Sequence, residues 1–212
     1  MGTWAGAIVE TRQHPDVGAV LAKHGITVIG EVTPWVLVQV DVSFGSLTVP
    51  AFVEPLSREL RARVIGFFIQ STASVEELEH WDSGERLRKL EFFAEEGGWR
   101  TEGDAQEWET AYFFAEGEAL EPDAWPHNLR DELTDEELAR YQTARAANDA
   151  TAILDLLSGG SVWSVRQLCR RFEVDPAKPG GVCTARRSLN PWLIGALIVF
   201  FLAGLFLLGV YT

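Results

Sequence analysis

Trp35-Val36-Leu37-Val38-Gln39-Val40-Asp41-Val42 alternates with a period of two. Val36, Val38, Val40 and Val42 fall on one side and Leu37, Gln39 and Asp41 on the other, as successive residues of a β-strand do. Thr33-Pro34 ahead of it reads as a turn, and Ile26 to Val32 as the preceding strand. Phe44-Gly45 reads as a second turn, and Ser46 to Phe52 as a third strand that Pro50 places at a sheet edge. The expectation is an antiparallel meander of three strands. Further towards the N-terminus, Asp16 to His24 reads as a short helix, with Asp16 as N-cap and Gly25 past its end.

Downstream of the strands the period changes. Leu56, Leu60, Val64 and Phe68 recur every four residues, with Arg58, Arg61 and Arg63 between them, so a helix is predicted here despite Gly66. Ser74 followed by Glu77 has capping-box spacing and opens a second helix. Asp82 and Glu85 repeat that spacing, so a break at Ser83-Gly84 and a third helix over Glu85 to Glu95 are expected. Val36, Val38, Val40, Leu60, Val64 and Phe68 are the expected core. From Gly97 to His127 regularity fails, apart from a short strand read over Glu109 to Ala115. Thr134 and Glu137 form another capping box, opening a helix to about Ala147 that restarts at Asn148-Asp149 and runs to Leu157. Ser164 with Gln167 starts a last soluble helix carrying Leu168, Cys169 and Phe172. The fold class expected is an α+β soluble domain, a small antiparallel sheet packed by helices, followed by one C-terminal transmembrane helix. The boundaries are 1–130 for the α+β domain with its acidic, aromatic-rich loops, 131–175 for a helical segment, 176–190 for a basic juxtamembrane linker, and 191–212 for the membrane helix.

That membrane helix rests on residues 191–211, which carry no charged side chain. About 20 helical residues rise roughly 30 Å, the thickness of a bilayer's hydrocarbon core. Trp192 and Tyr211 stand at its two ends, at the depth interfacial aromatics favour, and Phe200, Phe201 and Phe206 face lipid between them. Arg186 and Arg187 precede it and set the topology, with the N-terminal domain cytoplasmic and the C-terminus at the far side of the cell membrane. With no signal peptide read at the N-terminus, the plan expected is that of a tail-anchored, single-pass protein.

Charge is split along the chain. The 212 residues carry a net charge of −13. From Ser74 to Glu137 there are 21 acidic and 5 basic residues, a balance of −16. From Arg166 to Arg187 there are 6 basic and 2 acidic residues, a balance of +4. An acidic bulk disfavours nucleic acid, whose phosphates need a basic footprint. The acids and tryptophans between residues 91 and 125 suit a docking surface for a protein with a basic face. Trp99, Glu102, Glu107, Trp108, Glu109, Glu116, Glu118 and Trp125 are its candidates.

No motif carries catalysis, a metal or a cofactor. Cys169 and Cys183 fit no zinc spacing. His80 and Asp82 would point to different faces of a helix, so no acid–base pair is read there. The function expected is a non-enzymatic, membrane-held docking module. Its partners are the bilayer, a basic protein, and further copies of itself through the anchor. Two alternatives stand beside it: an effector whose anchors assemble and perturb the bilayer, and an enzyme using carboxylates among Glu91 to Asp123.

Overall fold

A computed structural model describes residues 3–12, 14–29, 34–40, 48–96, 98–113, 133–154, 156, 168–169, 171–174 and 182–185. In chain order the elements are β1 (Thr3–Glu10), α1 (Val17–Lys23), β2 (Ile26–Ile29), β3 (Trp35–Val40), α2 (Val53–Leu60), β4 (Arg63–Gln70), β5 (Val75–Asp82), β6 (Glu85–Phe93), β7 (Gly98–Gly103), α3 (Glu107–Phe113), α4 (Asp135–Ala147) and β8 (Val182–Ala185). This is an α+β domain. Six strands in the order β3-β1-β4-β5-β6-β7 form an antiparallel sheet, and β8 and β2 extend it beyond β3. β8 runs parallel to β3 and antiparallel to β2.

Both faces of the sheet are covered. On one, α1 contributes Val17, Val20 and Leu21 and α2 contributes Val53, Leu56 and Leu60, packed against Ala7, Val9, Val36, Val38 and Val64. On the other, Trp108 and Phe113 of α3 and Tyr141 and Ala144 of α4 pack on Ile8, Leu37, Ile65 and Phe67. Ile153, Leu168 and Phe172 join the same cluster, so the chain after α4 shares a core with the sheet. Gly6 and Gly66 lie on central strands for steric reasons. A Cβ on Gly6 would sit 2.0 Å from the Val38 carbonyl oxygen, and one on Gly66 2.4 Å from Val49.

Several local expectations hold. Asp16 caps α1, accepting from the Ala19 amide at 3.3 Å. Thr134 and Glu137 form the expected reciprocal capping box at the start of α4. Ile26–Ile29 and Trp35–Val40 are strands, and Val36, Val38, Leu60, Val64 and Phe68 are buried.

Others are corrected. β2 and β3 are not hairpin partners, because β8 lies between them. Residues 48–52 form a turn into α2, not a third strand; residues 41–47 lie outside the described set. The helix predicted through Phe68 stops at Leu60, where Arg61 turns left-handed at φ 49°, and β4 begins at Arg63. β4 is buried on both faces, so its apolar residues run without a gap and mimic a helical stripe. Ser74 is a turn residue with φ 46°, not a cap, and the helices read after it are the strands β5 and β6. Ser83 and Gly84, at φ 53° and 87°, supply the two left-handed residues of a tight hairpin turn. The strand read at Glu109 is instead α3. Residues 182–185, read as linker, form β8. Among the described residues no helix is long and apolar enough to cross a membrane. The anchor expected at 191–212, with Trp192, Phe200, Phe201, Phe206 and Tyr211, lies outside the described residues, as do Arg186 and Arg187.

Candidate functional site

Gly103 ends β7, and the chain passes from it onto the aromatic face of the sheet. Gly103 takes φ 77°, and a Cβ there would strike the Leu87 carbonyl oxygen at 2.0 Å. α3 follows and is locked down by a buried ion pair. Arg88 of β6 donates from Nε and Nη2 to the two carboxylate oxygens of Glu109, at 2.9 and 3.0 Å. Arg88 also donates to the Gly103 carbonyl, and the Gln106 amide donates to Glu109 at 2.7 Å. Both charges are almost wholly withdrawn from solvent, and this fork geometry is what makes such burial tolerable.

Trp108 is carried inward by the same anchoring and is 2% exposed. Its indole Nε1–H donates to Nδ1 of His80, 3.2 Å away and also buried. An indole N–H can only donate, so Nδ1 is the bare nitrogen and the neutral ring carries its proton on Nε2. That Nε2 is buried and has no hydrogen-bond partner. Burial, then the nearby Arg63 charge, lowers the His80 pKa from 6.5 to about 4.

Around His80 the strand ends form a cavity of about 270 Å³. Trp35, Ile65, Leu87, Trp108 and Phe172 give it apolar walls. Arg63, His80, Asp82, Gln106 and Glu107 are its polar groups. On a strand, residues i and i+2 share a face. His80 and Asp82 therefore line one cavity, whereas a helical reading separates them. Arg63 donates from Nε to Glu10 at 2.9 Å, which holds its guanidinium pKa above the usual value, and its Nη1 stands 3.5 Å from Glu107. Its guanidinium also lies 5.0 Å from the Trp35 ring centroid, and Phe172 packs on that ring with centroids 4.3 Å apart. Nothing in the sequence brings Glu10, Trp35 and Arg63 together; the pairing of β1 with β3 and β4 does, and Phe172 reaches them by packing from the chain after α4. The spacing of His80 and Asp82 was the one available signal, and it needed the correct secondary structure.

The residues expected to dock a partner divide. Trp108 and Glu109 are interior and serve the fold. Trp99 is half-buried between Phe92 and Phe113, with ring centroids 5.4 and 5.5 Å away. Glu102 and Glu107 are exposed, Glu102 pairing with Arg86 at 2.5 Å. Glu116, Glu118 and Trp125 lie outside the described residues. Among the described residues, no group of three or more His, Cys, Asp or Glu side chains could hold a metal ion. Compared with known proteins, the chain matches no family model, no curated protein and no solved structure.

Proposed function

We propose that the chain is a membrane-held docking module, its domain cytoplasmic and its acidic sheet edge receiving a basic protein partner. The observation that carries this reading is the uncharged apolar run 191–211 preceded by Arg186 and Arg187. The sheet adds a constraint on reach. β8 ends at Ala185, so only residues 186–190 separate the sheet from the anchor. Five extended residues reach at most about 18 Å, so the edge bearing β8 is held close to the headgroups. The acids sit at the other edge. β7 is six strands away from β8, roughly 29 Å along the sheet at about 4.8 Å per strand. Residues 91–104 there hold five acids and one base, among them the exposed Glu95, Glu96, Glu102 and Asp104. A partner can reach these carboxylates beyond the roughly 8 to 10 Å over which salt screens headgroup charge.

The test compares the full chain with one ending at Leu189. The full chain should stay with membranes through carbonate extraction and the shortened chain should be released. A partner crosslinked to the full chain should be lost at high salt, and lost likewise when Glu95 and Glu102 are changed to Lys. Release of the full chain by carbonate would end the membrane reading. Capture that ignores both salt and the charge reversals would end the acidic-edge reading.

A further inference from the structure

The cavity around His80 is unexplained by a docking role, and its chemistry is specific enough to name an occupant. A buried imidazole N–H without an acceptor is a cost that folded proteins seldom carry unanswered. Here Trp108 fixes the tautomer by occupying Nδ1, so the unanswered group is a donor, and it asks for a ligand oxygen. Arg63 stands at the same cavity with donors beyond those it gives to Glu10 and Glu107. Asp82 and Glu107 line it too, so both signs of charge are present. A simple anion would meet the two carboxylates, and a simple cation would meet Arg63. Between these polar groups lie the faces of Trp35, Ile65, Trp108 and Phe172. The volume, about 270 Å³, falls just under the 300 to 1,000 Å³ of pockets for drug-sized molecules.

We propose that this cavity binds a small zwitterion with an apolar body, a free apolar α-amino acid. Its carboxylate accepts from His80 Nε2–H and Arg63. Its ammonium donates to Asp82 and Glu107, and its side chain lies against Trp35, Ile65 and Trp108. Gln106 is the neighbour that a ligand oxygen at Nε2 would displace. It lines the cavity beside the imidazole without meeting hydrogen-bond geometry at Nε2, and its own side-chain nitrogen donates to the Asp104 carbonyl at 2.9 Å. Binding requires it to swing aside. The site is independent of the membrane reading and stands or falls without it.

The experiment is titration calorimetry on the full chain in detergent micelles. The probes are leucine and phenylalanine, their deaminated acids isocaproate and hydrocinnamate, and their decarboxylated amines isoamylamine and phenethylamine. At least one amino acid should bind about tenfold or more tightly than either of its singly charged analogues, because each analogue leaves one sign of charge unanswered. His80→Phe should weaken that binding by a similar factor, and Gln106→Ala should leave it equal or tighten it. His80→Gln, which retains a donor, guards against a folding defect in the first variant, with the tryptophan near-ultraviolet dichroism as the check on both. No heat from any of the six probes at millimolar concentration overturns the proposal. So does an analogue that binds as tightly as its parent amino acid, or wild-type affinity in a folded His80→Phe.

Discussion

The two faces of the sheet are built on different physics. Beneath α1 and α2 the fully buried residues are aliphatic: Ala7, Val9, Leu21, Val36, Val38, Leu56, Leu60 and Val64, and the rings packed against them, Phe52 and Trp81, are only partly buried. Two buried polar groups intrude: the Ser57 hydroxyl, which donates to the Ala62 carbonyl at 2.8 Å, and the Glu77 carboxylate, which accepts from the Val49 amide at 2.7 Å. Beneath α3 and α4 the cluster holds Trp35, Phe67, Trp108, Phe113, Tyr141 and Phe172. His80, Arg88 and Glu109 are buried on that side as well. The aliphatic face gains stability from area removed from water, which has no direction. On the aromatic face every buried polar group must find a geometrically correct partner, so that face is costly to assemble and specific once assembled. A face of the second kind can select a ligand; one of the first kind can only hold a sheet together.

This contrast predicts failures of different kinds. Val38→Asp places a carboxylate on the aliphatic face at a position with no exposure, in a cluster of apolar side chains. The expected cost exceeds about 4 kcal/mol, enough to unfold a domain of ordinary stability. A melting temperature equal to the wild type's would show that the face is assigned wrongly. On the aromatic face Glu109→Ala should cost about 3 to 5 kcal/mol, because Arg88 is left charged, buried and unpaired. Replacing both, as Arg88→Met with Glu109→Leu, should recover most of that loss in urea denaturation. If the double variant is as unstable as the single one, the pair matters through shape and the stated difference between the faces breaks down.

How far each face could be read from the residues follows the same division. The aliphatic face was partly legible, because its signals are local. The alternation in Trp35–Val40 marks a strand, and Asp16 marks a helix start within one turn of the residues it serves. Strand β4 was not legible as a strand. Its two faces are both buried, so Val64, Ile65, Phe67, Phe68 and Ile69 show no period of two, and chance placed Leu56, Leu60, Val64 and Phe68 four apart. The strands β5 and β6 were hidden by their charges. Glu76, Glu77 and Glu79 with Arg86 and Lys89 resemble a solvated helix, whereas they form cross-strand pairs such as Lys89–Glu77 at 3.0 Å and Arg86–Glu79 at 3.1 Å. The aromatic face was the least legible. The contacts that define its cavity, Glu10 with Arg63 and His80 with Trp108, join residues 53 and 28 positions apart. Sheet order makes the first contact and the packing of α3 on the sheet makes the second, and both are non-local properties of the chain.

Acid offers the finest test of the contrast, because the aromatic face holds a group whose charge state depends on burial. In the unfolded chain His80 takes up its proton near pH 6.5, whereas in the fold burial and the Arg63 charge delay that to about pH 4. Between these values the unfolded state binds more protons than the native one, so stability must fall as pH falls through this window. Above about pH 6.5 the contribution is complete, and below about pH 4 it is gone. A gap of this size corresponds to about 3 kcal/mol, shared with whatever relaxation lets water reach the ring. His80→Phe removes the titrating group, so the stability difference between wild type and variant should shrink or reverse in the variant's favour on going from neutral pH to about pH 4. Groups remote from His80 are common to both proteins and cancel in that difference. Urea denaturation at a series of pH values measures it directly. Parallel profiles for the two proteins would mean that His80 is already open to solvent in the native state, and the aromatic face would then be no more demanding in its polar groups than the aliphatic one.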